Sequence, residues 1–325
     1  MTHSSKYYAQ TWPYPRHEQF EILLRKSNAK WFSERDYPVN NRMAYLLESW
    51  EDWPNNIILP EVAKYIKDEQ VRRNAVGDSF PLHKYIHHGL SSQAMLFNLV
   101  GPLVINNNLT ALTAAFEANG IRWPVGNGTA KFEVENRDIF HEDTGQPTSI
   151  DLVIQSDGGI GSLFIEAKLV EREFGGCSVF SAGDCDGRNP IGNFPRCYLH
   201  HLGRQYWVLM KNYGFLNGPA GSSPICPFAM YYQFFRELIF AIESGGDFVL
   251  LYDQRNPAFY CGNSDSDRGL MPFLNTFVPD HLKDQIHSIS IQQVVAAYKE
   301  NCDFSWLNEF EKKYGLIEQG FLTRC

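Results

Sequence analysis

The chain reads TSIDLVI at residues 148–154 and LFIEAKL at residues 163–169. Each run has the apolar, β-branched character of a strand, and the sequence DGGI lies between them at residues 157–160. A Gly-Gly pair between two such runs is typical of a two-residue hairpin turn, because glycine readily adopts positive φ. A tight, unbulged turn there places Asp151 directly opposite Glu166, with the two side chains about 5 Å apart.

A lysine joins this predicted pair of carboxylates. Lys168 lies two residues beyond Glu166 and therefore on the same face of its strand. Directly opposed like charges destabilise a sheet unless a cation lies between them. A hard divalent ion, with Lys168 beside it, would be such a cation. The alternative interpretation is an exposed cross-strand charge cluster with no chemical role.

This arrangement has a counterpart among known enzymes. An acidic residue on one strand of a hairpin, followed by Glu-x-Lys on the next, resembles the PD-(D/E)XK nuclease superfamily, which includes restriction endonucleases and RecB-type exonucleases. Ile150 stands where the name of the motif has proline, which is commonly lost in the superfamily. Two more stretches, LSSQAMLFNL at residues 90–99 and YDQRNPA at residues 252–258, resemble a restriction-endonuclease-like branch. The resemblance covers roughly residues 80–300.

The resemblance implies a fold and a division of the chain. The expected fold is α/β, with a restriction-endonuclease-like mixed β-sheet core flanked by helices and a helical N-terminal region. We expect residues 1–80 to pack on the core as that region, and residues 81–325 to form the nuclease-like domain. Apolar periodicity predicts helices at residues 17–32, 42–50, 110–118, 200–212, 228–243, 291–300 and 306–313, and another from Ser91 or Ser92 to about Val100, where Gly101-Pro102 would end it.

The resemblance also implies metal-dependent hydrolysis of phosphodiester bonds, with DNA as the expected partner. Asp151, Glu166 and the backbone carbonyl of Ala167 would hold one or two Mg²⁺ or Mn²⁺ ions. Lys168 would orient the attacking water or stabilise charge on the phosphoryl oxygens. These expectations describe a Mg²⁺-dependent deoxyribonuclease with a role in restriction or defence, for which a homodimer would suit double-strand cleavage.

Further site residues are candidates on the same resemblance. In this superfamily an additional acidic or amide ligand usually comes from an upstream helix, and Gln93 and Glu117 compete for that place. Gln93 is preferred because its helix belongs to the second resembling stretch. Gln233 and Arg236 share one helix face, and Arg255 follows a predicted strand at residues 248–252, so all three are candidate substrate-binding residues. Their alternative roles are buried structural polar residues and an ordinary turn.

Four of the seven cysteines fall within a segment at about residues 175–226 that is largely rich in Gly, Asp and Asn. A long irregular loop inside a compact domain needs a cross-link or a bound metal to stabilise it. In a reducing compartment, Cys177, Cys185, Cys197 and Cys226 would serve it better as thiolate ligands of Zn²⁺ or an iron–sulphur cluster than as disulfides. The segment contains no C-x-x-C pair, so free buried thiols are the alternative.

Composition limits the remaining possibilities. A formal charge of −8 excludes a uniformly basic nucleic-acid binder, although local basic patches can still follow phosphates. No apolar run reaches the roughly 18 residues of a membrane span, and residues 1–6 lack an apolar signal segment, so we expect a cytoplasmic protein. Two alternatives to an active nuclease stay open: an inactive nuclease-like domain that binds nucleic acid or protein, organised by a Cys-bound metal, and an unrelated small-molecule enzyme.

Overall fold

A computed structural model describes residues 16–124, 128–156, 161–261 and 268–317. The predicted Gly-Gly turn at residues 157–160 lies outside the described residues. The α-helices of the described part are α1 (His17–Ser33), α2 (Pro60–Ala75), α3 (Ser92–Ile105), α4 (Thr110–Ala118), α5 (Ser178–Ser181), α6 (Tyr198–His201), α7 (Tyr206–Asn212), α8 (Pro219–Ser222), α9 (Pro227–Glu243), α10 (Leu270–Asn275), α11 (Ile291–Asn301) and α12 (Leu307–Tyr314). None of them is long and apolar enough to cross a membrane.

The strands form one small and one large sheet. Their bounds are β1 (Val39–Asn40), β2 (Met43–Leu47), β3 (Thr129–Glu135), β4 (Ser149–Gln155), β5 (Leu163–Lys168), β6 (Asp247–Tyr252) and β7 (Ile286–Ser290). The large sheet has the order β3-β4-β5-β6-β7. Its first three strands are antiparallel, and β5, β6 and β7 are parallel. The predicted α/β fold, a mixed sheet flanked by helices as in restriction endonucleases, is confirmed.

The register of the β4–β5 hairpin is the one that an unbulged turn predicts. Leu152 pairs with Ile165, and Ile154 pairs with Leu163. One further step along this register brings Asp151 opposite Glu166. The reasoning from sequence therefore placed the two strands correctly, although the turn itself is not described.

The central strand β5 separates two apolar cores. Leu163, Ile165 and Ala167 face one cluster, which includes residues of α3 and α11. Phe164 faces the other, which includes residues of α9. Every residue of β5 is buried, because the strand has a partner on each side and helices over both faces. Glu166 and Lys168 share the face of Phe164 by the alternation of the strand, so both point toward α9.

The helix that begins near Ser91 does not end at Gly101-Pro102, and this prediction is wrong. Ser91 caps α3, which continues through Pro102 to Ile105. Gly101 lies so close to α2 that an added Cβ would be 2.6 Å from a methyl carbon of Val62. Buried packing of this segment outweighs the local helix-breaking preference of proline, which removes only one backbone hydrogen bond.

Two other helix predictions need correction. Residues 42–50 form strand β2 and the start of a 3-10 helix, because the chain turns back after Val39–Asn40 and pairs antiparallel with it. The buried Leu47 of β2 then packs on aromatic residues of α1. The single helix predicted at residues 200–212 is interrupted between α6 and α7, where Gly203 has a φ of 87°. The other predicted helices are confirmed to within about two residues.

The N-terminal helices share the core of the sheet domain. Phe20 of α1 and Ile66 of α2 lie in the same apolar cluster as Leu99 of α3 and Tyr314 of α12. This region also contains the β1–β2 hairpin. The boundary at residue 80 stays a prediction.

Candidate active site

Three acidic residues occupy one row across the first three strands of the large sheet. Glu133 and Asp151 lie between the paired positions Phe132–Leu152 and Val134–Ile150 of β3 and β4. The register of β4 with β5 then brings Asp151 opposite Glu166. Glu133 has a φ of 51°, a left-handed conformation that few residues other than glycine adopt. The sheet thus gathers three carboxylates beside one another.

Lys168 and Glu166 form a buried ion pair with Gln233. The Lys168 ammonium lies 2.5 Å from Glu166 Oε1 and donates to Gln233 Oε1 at 2.9 Å. Gln233 Nε2 in turn donates to Glu166 Oε1 at 2.7 Å. Lys168 and Glu166 are 5% and 3% exposed, so little solvent screens the pair. The predicted Glu-x-Lys residues are therefore fixed relative to each other and to α9.

Backbone and amide groups hold the other two carboxylates. Asp151 Oδ2 accepts the backbone N–H of Ala167 at 2.9 Å, which ties Asp151 to β5. Glu133 accepts from Gln93 Nε2 at 2.7 Å and from the Ser149 hydroxyl at 3.0 Å. Gln93 thus contacts the acidic row through Glu133.

The environment of the row favours protonated carboxyl groups. Burial raises the pKa of Glu133 to about 7, against the hydrogen bonds from Gln93 and Ser149 that lower it. Burial, followed by the charges of Glu166 and Glu133, also raises the pKa of Asp151. Burial alone would lower the pKa of Lys168, but the nearby carboxylates, led by Glu166, raise it above its usual value. The site therefore combines a permanent cation with an excess of carboxyl groups.

A fourth acid, Glu237, approaches the same place from α9. It lies one helical turn after Gln233 and is 2% exposed. Its Oε2 atom is buried and has no hydrogen-bond partner among the described residues. Burial and then the charge of Glu166 raise its pKa. A buried oxygen without a donor is unusual in proteins and marks a place that a cation or water would fill.

These groups line an open groove of about 1260 Å³. Its walls include Gln93, Gln233 and Arg236, and its rim carries the exposed pair Lys84 and Tyr85. A groove of this size is larger than most small-molecule pockets. It has room for a segment of a polymer.

Arg236 lies in the groove but is engaged by the protein. Its guanidinium donates to the Thr148 hydroxyl at 2.6 Å and lies 3.2 Å from a carboxylate oxygen of Glu142. It also lies 4.5 Å from the ring centroid of Tyr232. Its role as a substrate-binding residue stays a prediction, beside its observed role in closing the end of β4 against α9.

The structure does not bring Arg255 to the groove. Its guanidinium forms two hydrogen bonds with the carboxylate of Asp253, at 2.9 and 2.6 Å. It also donates to the backbone carbonyls of Tyr314 and Gly315 at the end of α12. These contacts satisfy the guanidinium and give it a structural role at the C-terminal helix.

We expect Arg255→Ala to lower the free energy of unfolding by about 2 kcal/mol without changing cleavage per folded molecule. The fully buried Asp253 would lose its cation but keep a hydrogen bond from Gln292. Urea unfolding and specific activity, measured on the same preparations, test this expectation. A loss of cleavage at unchanged stability would instead restore Arg255 to the substrate-binding residues.

Gln93 and Glu117 lie in different parts of the molecule. Gln93 is buried in the groove wall, whereas Glu117 is exposed near the end of α4 and does not line the groove. The preference for Gln93 as an active-site residue thus agrees with its position.

Glu133 and Glu237 were not predicted as site residues. The Gln-x-x-x-Glu spacing on α9 was a signal in the sequence for Glu237, whereas the alternation KFEVE at residues 131–135 indicates a strand but not the position of the Glu133 side chain.

The residues present fit a hard divalent cation. Among the described residues, no three His, Cys, Asp or Glu side chains are already gathered as a set of metal ligands. The donor set is nevertheless the one that such ions prefer, since it consists of carboxylate and amide oxygens. Burial and then repulsion raise the pKa values of Asp151 and Glu237, and a cation among Asp151, Glu166 and Glu237 would offset both causes.

The four clustered cysteines lie in a second place. Together they line a small cavity beside the N-terminal end of α9, and none of them is in a disulfide. In sequence they fall between β5 and α9, where we predicted a Cys-rich insertion at about residues 175–226.

Comparison with known proteins supports a nuclease family. The family model REase-ARP, described as "Restriction Endonuclease associating with ARP", matches residues 25–315. No curated protein and no solved structure matches the chain. The matched range contains the whole sheet and every acidic residue of the groove. The chain therefore belongs to the family of restriction endonucleases associating with ARP.

Proposed function

We propose that this protein is a divalent-metal-dependent nuclease of the PD-(D/E)XK type that hydrolyses phosphodiester bonds in DNA. The observation that carries the proposal is the buried Lys168–Glu166 pair beside Asp151 in an open groove. Membership in a restriction-endonuclease family supports DNA as the substrate.

Asp151 and Glu166 would hold one or two Mg²⁺ or Mn²⁺ ions, with the Ala167 carbonyl and the Gln93–Glu133 pair as further oxygen donors. When bound, the metal supplies Lewis-acid polarisation of the scissile phosphate and an activated water. The hydrogen bond from Ala167 holds Asp151 in position before any ligand arrives. Such preorganisation avoids the free-energy cost of arranging charges during the reaction.

Lys168 would act as a fixed positive charge. The carboxylates around it, led by Glu166, raise its pKa above its usual value, so we expect it to be protonated at neutral pH and not to act as the general base. Its N–H groups would instead orient the attacking water and stabilise charge on the phosphoryl oxygens. Glu166 and Gln233 hold the ammonium group in place for this task.

The rim of the groove would contact the nucleic acid. Lys84 is exposed there, with its ammonium 4.9 Å from the ring centroid of Tyr85, which is itself 51% exposed. A cation beside an exposed aromatic ring suits a phosphate next to an unstacked base.

The family name also supports ARP as a partner, and restriction or defence as the setting. A homodimer would provide a second active site for the opposite strand.

The experiment compares linear duplex, circular duplex and single-stranded DNA with Mg²⁺, with Mn²⁺ and with EDTA. We expect metal-dependent cleavage, reduced at least about 100-fold in Asp151→Asn. The variant should fold, because the amide oxygen can still accept the N–H of Ala167. Asp138→Asn is the matched control, since Asp138 is exposed and does not line the groove.

Two outcomes would overturn the proposal. One is the absence of cleavage on every substrate by folded wild-type protein, which would favour an inactive nuclease-like binding domain. The other is equal cleavage by Asp151→Asn and wild type.

A further inference from the structure

The four cysteines in the connection between β5 and α9 surround one cavity. Cys177, Cys185, Cys197 and Cys226 line a space of about 20 Å³. They are separated by up to 49 positions in sequence, since Cys177 precedes and Cys226 follows the four helices α5 to α8. Chance packing of isolated thiols does not account well for four of them on the wall of one small cavity.

Backbone N–H groups point at three of the four sulfur atoms. The backbone N–H groups of Val179 and Phe180 lie near the Cys177 sulfur and partly oppose the rise in its pKa that burial causes. The N–H groups of Phe228 and Ala229 act in the same way on Cys226, although the Ala229 N–H also donates to the Cys226 carbonyl at 3.0 Å. The N–H of Gly187 lies 3.4 Å from the sulfur of Cys185, again two residues on.

Such hydrogen bonds stabilise the charged form of a sulfur ligand. A hydrogen bond donated to an ionised group favours that ionised form. The thiolate, not the thiol, is the species that binds a metal. Burial nevertheless outweighs these contacts: it raises the pKa of Cys177 and raises the pKa of Cys226 to about 12, so both would lose their protons only on binding a metal.

The rest of the cavity wall is apolar or aromatic. It includes Phe180, Trp207 and Phe228, and it contains no carboxylate, histidine or amine. The four sulfur atoms are therefore the strongest metal-binding groups in the wall of this cavity. Soft thiolate ligands select zinc or iron–sulphur centres rather than Mg²⁺ or Ca²⁺.

We propose that the four thiolates of Cys177, Cys185, Cys197 and Cys226 hold a metal centre, either zinc or an iron–sulphur cluster. In the described residues no three of these side chains are yet drawn together as a ligand set. Cys185 and Cys197 are only partly buried and lie in irregular segments, so they can close on the metal. Cys177 and Cys226 are buried and provide the fixed half of the site.

The centre would anchor the helix that carries active-site groups. The N–H of Cys177 donates to the carbonyls of Phe228 and Ala229 in α9. Gly176 approaches α9 so closely that an added Cβ would lie 2.6 Å from the Ala229 carbonyl oxygen. The N–H of Gln233 donates to the carbonyl of Gly175. The metal centre would thus act on Gln233 as a positioning device and not in catalysis.

The test measures metal in protein purified without air and without added chelator. We expect about one zinc per chain, or about four iron atoms with matching sulfide and visible charge-transfer absorption. Cys177→Ser and Cys226→Ser should lose most of this metal. Cys302→Ser should retain it, because Cys302 is a partly buried cysteine outside the cavity.

Wild-type protein provides a readout that does not depend on the folding of variants. The bound metal should protect four thiols from alkylation, and a strong chelator should expose them and lower the melting temperature. Metal-free wild-type protein, disulfides among these cysteines, or full metal retention in both serine variants would overturn the proposal. None of these measurements uses DNA, so the result is independent of the nuclease proposal.

Discussion

Lys168→Met is expected to reduce DNA cleavage at least about 100-fold and to lower the free energy of unfolding by about 3 kcal/mol. The first effect follows from the loss of a fixed positive charge beside the phosphate. The second follows because Glu166, only 3% exposed, would lose the ammonium group that pairs with it. Cleavage assays and urea unfolding measure the two effects separately.

A second substitution separates chemistry from stability. Glu166→Gln combined with Lys168→Met removes both charges of the buried pair, and Gln233 can still donate to the new amide oxygen. The double variant should regain most of the lost stability, because replacing a buried ion pair by neutral groups is often close to neutral. Its cleavage should stay abolished.

Lys131→Met is the matched control for these variants. Lys131 is an exposed lysine of the same sheet, bonded to Gln155 and outside the groove. Its removal should change stability by no more than about 0.5 kcal/mol and leave cleavage intact. Near-normal cleavage by Lys168→Met would refute the role assigned to the lysine.

The acidic row is expected to make the metal-free protein less stable as the pH rises from about 4.5 to about 7. Burial raises the pKa of Glu133 from its ordinary value of 4.5 to about 7. Between these pH values the folded protein binds more protons than the unfolded chain. The stability that Glu133 contributes is therefore fully present below about pH 4.5 and is lost as the pH rises through 7. A shift of this size corresponds to roughly 3 kcal/mol.

Glu133→Gln isolates this contribution. The glutamine can still accept from Gln93, and the Ser149 hydroxyl can accept from its amide. With EDTA at pH 8, the variant should be more stable than wild type, and its stability should vary less between pH 5 and pH 8. Wild type at pH 8 should gain stability on addition of Mg²⁺, which binds the folded state. Identical pH profiles for the two proteins would contradict the assignment to Glu133.

Much of the fold could be predicted because its signals are local. The alternation in β4 and β5, with glycines between them, specified both the hairpin and its register. The helices of the C-terminal part have clear apolar periodicity and were found close to their observed bounds. Predictions from local helix propensity were wrong where tertiary packing sets the end of a helix. Helix α3, for example, continues through Pro102 because α2 packs against it.

The site was predicted only in part, because some of its members come from distant segments. Lys168 and Glu166 share one strand, so their proximity follows from the period of two. Glu133 reaches the row through a backbone conformation that alternation does not predict, with a φ of 51°. Glu237 lies on α9, which follows the long Cys-rich connection in sequence, so its proximity to the strands could not be predicted from local patterns. Arg255 shows the converse, since the structure places its motif in a network with Asp253 and the end of α12, away from the groove.

The position of β5 also determines which parts of the protein can unfold locally. A strand that has partners on both sides and is buried along its whole length exchanges its amide hydrogens only when the domain unfolds as a unit. The irregular stretches of the connection that follows lie outside the large sheet, so we expect their amide hydrogens to exchange sooner. Opening of those stretches would therefore leave Glu166 and Lys168 in place on the element of the fold that we expect to be best protected.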